Sequence, residues 1–531
     1  MMVSHTWLLG LLGATQAVVA DGSFSSASWD GWGGGIHNNR WTDSQAITTS
    51  NAKSLTRTCP GLSYQYGVSA TPVVRGSNVY YPTWNGLFVA LDYTTCKTHW
   101  TINVTQLIYD YAVPSPASAI ATYPVSRTSP QIDGSIIYFG TQTHALLVAA
   151  DLHNGKILGM VPLHSHPLAV VTMSPTVYKG VIFAGTSSYE EPAPLIFPNY
   201  TCCSYIGNMV ALTFSPHTGL FTKKWDIPAL PSGQGWSGAG VWGSQPSIDT
   251  ARNQVFFGTG NLYSYPPEYG HCINSTADCL PAGVNQEAII ALDVSSGKIN
   301  WVRRVSPLDA WNGACVTVPI DTVNCPSVPP GRDGDFGMAP GFVPKRTSGL
   351  EDDVVVVAQK TGVIFAFAAG TGETVWMNDI SRMQGGGLSW GVAVDDKRVY
   401  YTLPYSRFDV PANVSSTVFG AASLVNGSVL WETPATHNSL ALQPPTVAGD
   451  LVLYPRAGVV DETPSGYLTS KGALTVLDRS SGSVVTEVEL DVNFQGGIAV
   501  VNEYVLFGTG YRNGVNFVGN GSLYVLKVDG K

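Results

Sequence analysis

The chain has 531 residues, of which 44% are hydrophobic and only 12% are charged, and it contains 57 glycines and 34 prolines. This composition can bury a large core but lacks the Glu, Lys and Arg that surface helices favour, so an all-β fold is expected. A net charge of −9 and the lack of any Lys or Arg run exclude a surface that neutralises phosphates, and with it nucleic-acid binding.

The N-terminus carries the first recognisable signature. An apolar stretch from Thr6 to Ala20 ends in small residues before the polar turn Asp21-Gly22. This pattern predicts a signal peptide over 1–20 and a mature domain over 21–531. The stretch is shorter than the roughly twenty residues that cross a bilayer, and no later segment qualifies. A secreted protein without a membrane span is therefore expected.

The cysteines and the glycosylation sequons fit an oxidising, secretory compartment. The eight cysteines lie mostly in close pairs, Cys202 with Cys203, Cys272 with Cys279, Cys315 with Cys325 and, more distantly, Cys59 with Cys96. Disulfides between the three close pairs are predicted. The sequons stand at Asn103, Asn199, Asn274, Asn413, Asn426 and Asn520. No CxxCH motif is present, so the chain carries no c-type haem of its own.

A repeat organises the chain. An apolar run enters Ala-Leu-Asp, crosses a Gly-containing turn and leaves through a strand that bears Trp, most clearly at Ala291-Leu292-Asp293, Ser296-Gly297-Lys298 and Trp301. Eight copies can be counted, and they begin at Ala90, Ala150, Ala211, Ala291, Ala366, Ala421, Val476 and Val525. A strand pair precedes each copy, which gives about four strands per unit. The repeat predicts an all-β, eight-bladed β-propeller of four-stranded antiparallel blades.

The last blade is predicted to be completed by the N-terminal segment. The eighth copy reaches Lys531 before any outer strand with Trp, whereas the stretch from Ile47 to Cys59 precedes the first unit without a partner. A strand from this stretch is expected beside the C-terminal strand over 523–528, because a closed ring leaves no sheet edge exposed. The repeated Trp is interpreted as packing between blades; Gly159 and Thr486 replace it in two units.

The tandem pattern and the opening segment from Trp29 to Leu55, with Trp32-Gly33-Gly34 and Asn39-Arg40, resemble the quinoprotein alcohol dehydrogenases, and among them the polyvinyl-alcohol dehydrogenases. The tandem pattern also occurs in propellers without a cofactor, so function has to be inferred from the loops. The resemblance implies an oxidoreductase that oxidises a small-molecule or polymeric alcohol with Ca²⁺ and pyrroloquinoline quinone. It also implies an external electron acceptor.

Three oxygen-bearing residues are the calcium ligands that the resemblance implies. Ser187-Ser188-Tyr189-Glu190 resembles the family segment whose Glu binds calcium, and the strand end Phe257 to Asn261 resembles the segment whose Asn binds it. Asp333 is the third candidate ligand. Calcium is a hard cation that prefers carboxylate and carbonyl oxygens, so these residue types fit the role.

The catalytic candidates lie in the fifth unit. The segment from Gly331 to Gly337 is similar to the part of the polyvinyl-alcohol dehydrogenases that carries the general-base Asp. Asp333 is the candidate base and Asp335 the alternative, because the Asp-x-Asp pair leaves the register open by two residues. Lys360 resembles the basic residue of a family hairpin that hydrogen-bonds the quinone oxygens. In this hypothesis the Asp takes the alcohol proton while hydride leaves carbon for the quinone.

The same resemblance implies a set of residues around the cofactor, namely Thr172, Ser187, Trp242, Lys360, Arg127, Cys202 and Cys203. Trp242 is expected to stack on the planar quinone. The vicinal cysteines resemble a pair in the polyvinyl-alcohol dehydrogenases, although Ile206 stands where those relatives often have Arg.

Two other functions stay open: a cofactor-free binding or scaffold propeller, and a secreted enzyme of secondary metabolism that reuses the pocket for redox or cyclisation chemistry. The dehydrogenase predicts a specific geometry. Equivalent loops of successive blades point to one end of the axis, so Glu190, Asn261 and Asp333 should converge there, with Trp242 and Lys360 bordering the same cavity.

Overall fold

The structure is a computed structural model that describes residues 28–197, 199–273, 275, 279–380, 388, 390–404, 417–463, 466–512 and 520–529. The predicted signal peptide over 1–20 lies outside the described residues, as do Asn274 and Asn413. Within the described ranges, no helix has the length and apolar character needed to cross a membrane.

Eight four-stranded antiparallel sheets form a ring, as predicted, and they are called blades 1 to 8. The strands of blades 1 to 4 are Val73–Arg75, Asn78–Pro82, Leu87–Asp92, Lys97–Asn103; Gln131–Asp133, Ile136–Gly140, Leu146–Asp151, Ile157–Pro162; Thr176–Tyr178, Val181–Gly185, Asn208–Ser215, Leu220–Pro228; Ser247–Asp249, Gln254–Gly258, Ala288–Asp293 and Ile299–Arg304. Those of blades 5 to 8 are Gly341–Val343, Val354–Ala358, Val363–Ala368, Thr374–Asp379; Ala393–Val394, Arg398–Pro404, Thr417–Ser423, Val429–Pro434; Thr446–Ala448, Leu451–Arg456, Ala473–Asp478, Val484–Glu489; Ile498–Val501, Tyr504–Gly508, Asn520–Val528 and Leu55–Arg57.

The remaining elements are short. Strands Ser28–Trp29, Trp41–Thr42 and Ser63–Gln65 pair at the margins of blades 1, 7 and 8. Smaller sheets pair Ala169–Val170 with Ser187–Ser188, Ser237–Gly238 with Leu262–Ser264, and Gly458–Thr463 with Ser439–Leu440 and Gly466–Ser470. The helices are Val104–Tyr111, Pro116–Ala121, Ala193–Ile196 and Lys345–Ser348, with 3₁₀ turns at Ala52–Ser54, Thr143–Ala145, Pro267–Cys272, Gly313–Val316 and Thr436–Asn438.

Ring closure follows the prediction. Leu55–Arg57 pairs antiparallel with Asn520–Val528, with Leu55 opposite Val528 and Arg57 opposite Leu526. The N-terminal strand is therefore the outer strand of the blade that the C-terminal strand completes. The second strands of several blades, such as Gln254–Gly258 and Val354–Ala358, are buried at every position because neighbouring blades cover both faces of each sheet.

The repeated Trp links adjacent blades, which confirms its interpretation as a packing residue. In five blades its indole N–H donates to a backbone carbonyl of the next blade at 2.8–3.2 Å; the tryptophans are Trp100, Trp225, Trp301, Trp376 and Trp431. Each ring also lies against a turn glycine of the next blade. These glycines have positive φ, and a Cβ on Gly297, for example, would come within 2.7 Å of Trp225.

All eight cysteines form disulfides. The three predicted pairs, Cys202–Cys203, Cys272–Cys279 and Cys315–Cys325, are confirmed in the structure. The fourth pair is Cys59–Cys96, which fastens the chain after the closing strand to blade 1.

The segment that precedes the closing strand runs around the axis and bonds to one blade after another. The carbonyls of Ile36, His37, Asn39 and Arg40 accept from the amides of Ile248, Phe342, Val394 and Val447. These four amides belong to, or directly adjoin, the first strands of blades 4, 5, 6 and 7 in order. The segment, called the axial plug here (residues 28–42), therefore joins successive blades by backbone hydrogen bonds.

Arg40 anchors the axial plug and is only 1% exposed. Its Nη1 donates to the Trp32 carbonyl at 2.6 Å and its Nε to the Pro445 carbonyl at 2.8 Å. Its Nη2 donates to Thr446 Oγ1 at 2.8 Å and to the Ile498 carbonyl at 3.1 Å. Burial lowers the pKa of Arg40 to about 9, so the guanidinium is still charged at neutral pH.

We expect Arg40→Met to destabilise the ring by at least about 3 kcal/mol, because several buried acceptors would lose their donor at once. Urea unfolding followed by tryptophan fluorescence measures the change. Arg75→Met is the matched control: Arg75 pairs with Asp30 but its side chain is 42% exposed. Its loss should cost less than about 1 kcal/mol. Equal effects of the two variants would contradict the anchoring role of Arg40.

Candidate active site

Two kinds of loop lie at one end of the ring axis: those that follow the second strand of a blade and those that enter the next blade. A cavity of about 180 Å³ lies there, and its lining includes Arg127, Thr172, Ser187, Glu191, Trp242, Tyr263, Asp335, Lys360 and Trp390. Of the predicted cofactor residues, Thr172, Ser187, Trp242, Lys360 and Arg127 thus face one cavity. Trp242 and Lys360 border this cavity, as predicted, whereas Glu190 is not among the residues that line it.

Backbone pairing between loops fixes this face of the ring. Val170 pairs with Ser187, so the loop that enters blade 3 is joined to the loop after its second strand. In blade 4, the Ala239 amide donates to the Asn261 carbonyl at 2.7 Å. The Val241 amide reaches back to the Thr186 carbonyl of blade 3 at 2.8 Å. Trp242 is therefore held between the ends of two blades.

Three carboxylates form the polar centre of the site. Oxygens of Glu191, Asp333 and Asp335 all lie within 4.8 Å of one another. Lys360 Nζ is 2.8 Å from Asp333 Oδ1 and 2.8 Å from Asp335 Oδ2. Three carboxylates against one ammonium leave two negative charges when all four groups are ionised. One divalent cation would neutralise this charge.

Asn261 is hydrogen-bonded to one of these carboxylates. Its backbone N–H donates to Asp335 Oδ1 at 2.5 Å. Its side-chain Nδ2 donates to the carbonyls of Leu262 and Trp311, which fixes the orientation of the amide. The Oδ1 atom is buried and has no hydrogen-bond partner among the described residues. A buried acceptor without a partner, on a residue bonded to the carboxylate cluster, fits a hard cation that prefers oxygen ligands.

Glu191, rather than the predicted Glu190, belongs to this cluster. The Glu190 carboxylate accepts from the backbone amides of Ser204 at 2.9 Å and Tyr205 at 2.7 Å, and from the Tyr200 hydroxyl at 2.8 Å. It is thus committed to holding the loop that follows the vicinal cysteines. Consecutive side chains of the Glu-Glu pair thus point in different directions, and the predicted calcium-binding role of Glu190 stays a prediction.

Burial and neighbouring charges shift the pKa values of the acid and base groups of the site. Desolvation raises the pKa of Asp333 to about 7, although the charge of Lys360 opposes the rise. For Lys360, burial acts to lower the pKa, but the charges of Asp333 and Asp335 raise it well above its usual range. Burial and the charge of Asp333 raise the pKa of Glu191 well above normal. Lys360 therefore keeps its proton, while Asp333 can exchange one near neutrality.

Two tryptophans and two cations border the cavity. The rings of Trp242 and Trp390 stand 5.3 Å apart at 85°. Lys360 Nζ lies 5.2 Å from the centre of the Trp242 ring, and the Arg127 guanidinium lies 5.4 Å from the centre of the Trp390 ring. The sequence analysis missed Trp390. A Trp-Gly pair just before an inner strand, shared with Trp242-Gly243, is the signal that could have found it.

The vicinal disulfide lies apart from this cavity. Cys202 and Cys203 are not among the residues that line it. The Cys202 amide donates to Asn324 Oδ1 at 2.9 Å, and Asn312 Nδ2 donates to Cys202 Sγ at 3.5 Å. The disulfide therefore packs against the long loop that enters blade 5. Its predicted contact with the cofactor stays a prediction.

The chain is similar in sequence to known dehydrogenases. Residues 29–320 match a family profile described as the PQQ glucose/ethanol/alcohol dehydrogenase β-propeller domain, and residues 360–469 match the profile of the outer membrane protein assembly factor BamB. A polyvinylalcohol dehydrogenase of Pseudomonas sp. is 27% identical over 385 residues, which cover 70% of this chain and 54% of that protein. Another from Sphingopyxis sp. (strain 113P3) is 26% identical over 387 residues, with the same coverage. The chain thus spans about half the length of these relatives.

Solved structures share the fold. A europium-containing methanol dehydrogenase superposes with a TM-score of 0.64 at 16% identity, over 95% of this chain and 98% of that chain. A quinohemoprotein alcohol dehydrogenase from Comamonas testosteroni gives a TM-score of 0.64 at 16% identity, over 95% and 81%.

We expect Glu191→Gln to weaken cation binding at this site by at least about tenfold, because it removes one anionic ligand. Terbium luminescence sensitised by the neighbouring indoles measures the affinity. Glu190→Gln is the matched control: it should leave terbium affinity within about threefold of wild type and lower thermal stability instead. The reverse pattern would restore Glu190 as the ligand.

Cation binding should also release protons. Because burial raises the pKa of Asp333 to about 7, this group is partly protonated near and below neutrality, and a cation that binds beside it has to displace that proton. Apparent terbium affinity should therefore rise by about tenfold per pH unit up to about pH 7 and flatten above it. The rise should be shallower in Asp333→Asn. A pH-independent affinity in the wild type would contradict this coupling.

Proposed function

The chain belongs to the PQQ glucose/ethanol/alcohol dehydrogenase β-propeller family, and from this premise we propose that it oxidises an alcohol with pyrroloquinoline quinone and a calcium ion. Electrons then pass to a separate acceptor. The convergence of Asp333, Asp335, Glu191 and Lys360 carries the proposal. Asn261, which is bonded to Asp335 and has a buried side-chain oxygen without a partner, supports it. A propeller that serves only as a scaffold has no need for this arrangement.

Glu191, Asn261 and Asp335 would hold the calcium ion. All three present oxygen, which calcium prefers. The cluster's two uncompensated negative charges match the charge of the ion. Binding would also give Asn261 Oδ1 the partner it lacks, and so would remove the cost of a buried unsatisfied acceptor.

The quinone would lie in the 180 Å³ cavity beside the indoles. Pyrroloquinoline quinone is flat and anionic, so the rings of Trp242 and Trp390 and the cations Arg127 and Lys360 complement it in shape and charge. When bound, it would supply the hydride acceptor, with calcium polarising its carbonyl. Thr172 and Ser187 are further polar residues of this cavity.

Asp333 is better placed than Asp335 to take the alcohol proton. Both oxygens of Asp335 are engaged, by the Asn261 amide and by Lys360, and its side chain is only 4% exposed. Asp333 engages Lys360 through Oδ1 alone, and its side chain is 30% exposed. A carboxylate with a pKa near neutrality suits a general base. Lys360 would orient both carboxylates while keeping its own proton.

The substrate class and the compartment are part of the same proposal. Relatives named polyvinylalcohol dehydrogenases support an alcohol, either a small molecule or a polymer. Four disulfides are consistent with secretion into an oxidising compartment.

Reconstitution tests the proposal. Purified protein incubated with calcium and pyrroloquinoline quinone should acquire a bound-quinone absorbance that primary or secondary alcohols bleach, because the substrate reduces the quinone. Turnover is then followed with an artificial electron acceptor. Failure to bind the quinone at saturating calcium would favour a cofactor-free binding propeller. Quinone binding without bleaching by any alcohol would favour different redox or cyclisation chemistry.

In the reconstituted protein, Asp333→Asn should lower kcat by at least about 10²-fold with quinone absorbance retained, because it removes a proton acceptor at constant shape. Asp335→Asn is the paired variant and should mainly weaken calcium affinity. Retained turnover in Asp333→Asn combined with loss of turnover in Asp335→Asn at saturating calcium would transfer the base to Asp335.

A further inference from the structure

A second carboxyl pair, Glu287 and Asp309, lies directly behind the active-site loops. Both residues line a groove of about 920 Å³ at the junction of blades 4 and 5. Glu287 is 0% exposed and Asp309 is 6% exposed. Among the described residues, no basic side chain forms an ion pair with either. Two buried acids without a compensating cation are costly unless they satisfy each other or serve a role.

The pair is hydrogen-bonded to the two loops that carry the catalytic candidates. Glu287 Oε2 accepts from Gln359 Nε2 at 2.9 Å, and Gln359 directly precedes Lys360. Asp309 Oδ2 accepts from the Gly334 amide at 2.9 Å, and Gly334 stands between the two active-site aspartates. One carboxyl therefore holds the lysine hairpin and the other holds the aspartate loop.

The backbone of Glu287 adds a third connection. Its N–H donates to the carbonyl of Gly260 at 3.0 Å, and Gly260 directly precedes Asn261. The aspartate loop approaches the pair closely because it has glycine there: a Cβ on Gly334 would lie only 2.9 Å from Glu287 Oε1. Since residues 331–336 form no helix or strand, contacts of this kind set the position of the loop.

The remaining oxygens of the pair complete the interaction. Glu287 Oε1 and Asp309 Oδ1 are buried and have no partner when both groups are counted as acceptors. The two carboxyls are within hydrogen-bonding reach, and burial followed by the charge of Asp309 raises the pKa of Glu287 well above its usual range. One proton shared by the two carboxyls would give a hydrogen bond between them in place of a repulsion.

We infer that Glu287 and Asp309 share one proton and act together as a positioning pair that fixes the loops of Lys360 and Asp333 relative to each other. The pair touches neither substrate nor cofactor. The inference rests on the proposed function only where it predicts an effect on turnover. The predicted effect of the pair on cation binding depends on the geometry of Glu191, Asn261 and Asp335 alone.

Four variants test the pair. Glu287→Ala and Asp309→Ala each break the link and leave the other carboxyl unpaired; each should weaken terbium binding and lower reconstituted kcat by at least about tenfold. Glu287→Gln and Asp309→Asn keep the hydrogen bonds, because an amide replaces the shared proton as donor. Both should stay within about threefold of wild type. The double alanine variant should lose no more terbium affinity or kcat than the more strongly affected of the two single variants. Far-UV circular dichroism monitors the fold.

Gln359→Ala covers the case in which the alanine variants do not fold. It leaves both carboxyls in place and cuts the link between the pair and the lysine hairpin, together with the Gln359 hydrogen bonds to Ser306 and Thr361. It should lower kcat and destabilise the fold less than the alanine variants of the pair do. Unchanged terbium affinity in a folded Glu287→Ala would overturn the inference. Two terbium ions per chain, with one lost in Glu287→Gln, would also overturn it, because the pair would then be a second cation site.

The two proposals fail separately. If alcohols never bleach the reconstituted quinone but Glu287→Ala weakens terbium binding and Glu287→Gln does not, the positioning pair stands and the dehydrogenase proposal falls. If turnover is present in the wild type and unaffected in every variant, the dehydrogenase proposal stands and the positioning pair falls.

Discussion

The buried guanidinium of Arg40 joins parts of the ring that are far apart in the chain. It bonds to the loop that enters blade 7 and to the first strand of blade 8, while the backbone around it bonds to blades 4 to 7 in succession. A ring of separate sheets has to fix the angle between neighbours, and the axial plug does so from the centre. Its residue Trp32 also contacts a small space lined by Arg127, Thr172 and Trp390, so the plug lies at the base of the active-site cavity.

The active site is governed by the cost of buried charge. Lys360 compensates only part of the charge of three carboxylates, and Asn261, which is bonded to Asp335, keeps an unsatisfied buried oxygen. Such an arrangement opposes folding unless a ligand completes it, because a buried charge or acceptor without a partner costs free energy. This argues against a scaffold propeller, which could replace these residues by apolar ones. A cation would satisfy the charges and the amide oxygen together.

The same principle distinguishes the roles of neighbouring acids. Glu190 is saturated by two backbone amides and a tyrosine hydroxyl, and it serves the fold. Burial, followed by the like charges of Asp333 and Asp335, raises the pKa of Glu191 well above its usual range. Glu287 and Asp309 have each other. Acids close together in the sequence or in space thus differ in the donors that surround them, and this difference underlies the roles proposed for them: loop support, cation binding and positioning.

The sequence by itself determined the ring, its closure by the N-terminal strand, the close disulfides and the packing role of Trp301 and its counterparts. These features follow from periodic apolar runs, turn glycines and short spacings, which act locally and repeat eight times. It also placed Trp242, Asn261 and Lys360 at one end of the axis, because equivalent loops of a propeller meet there. Only the tertiary structure placed Glu191, and not Glu190, beside Asp333 and Asp335, gave the two aspartates different exposure, and revealed Trp390 and the pair behind the loops. The direction of a loop side chain depends on hydrogen bonds to residues remote in the chain, and no local pattern encodes those partners.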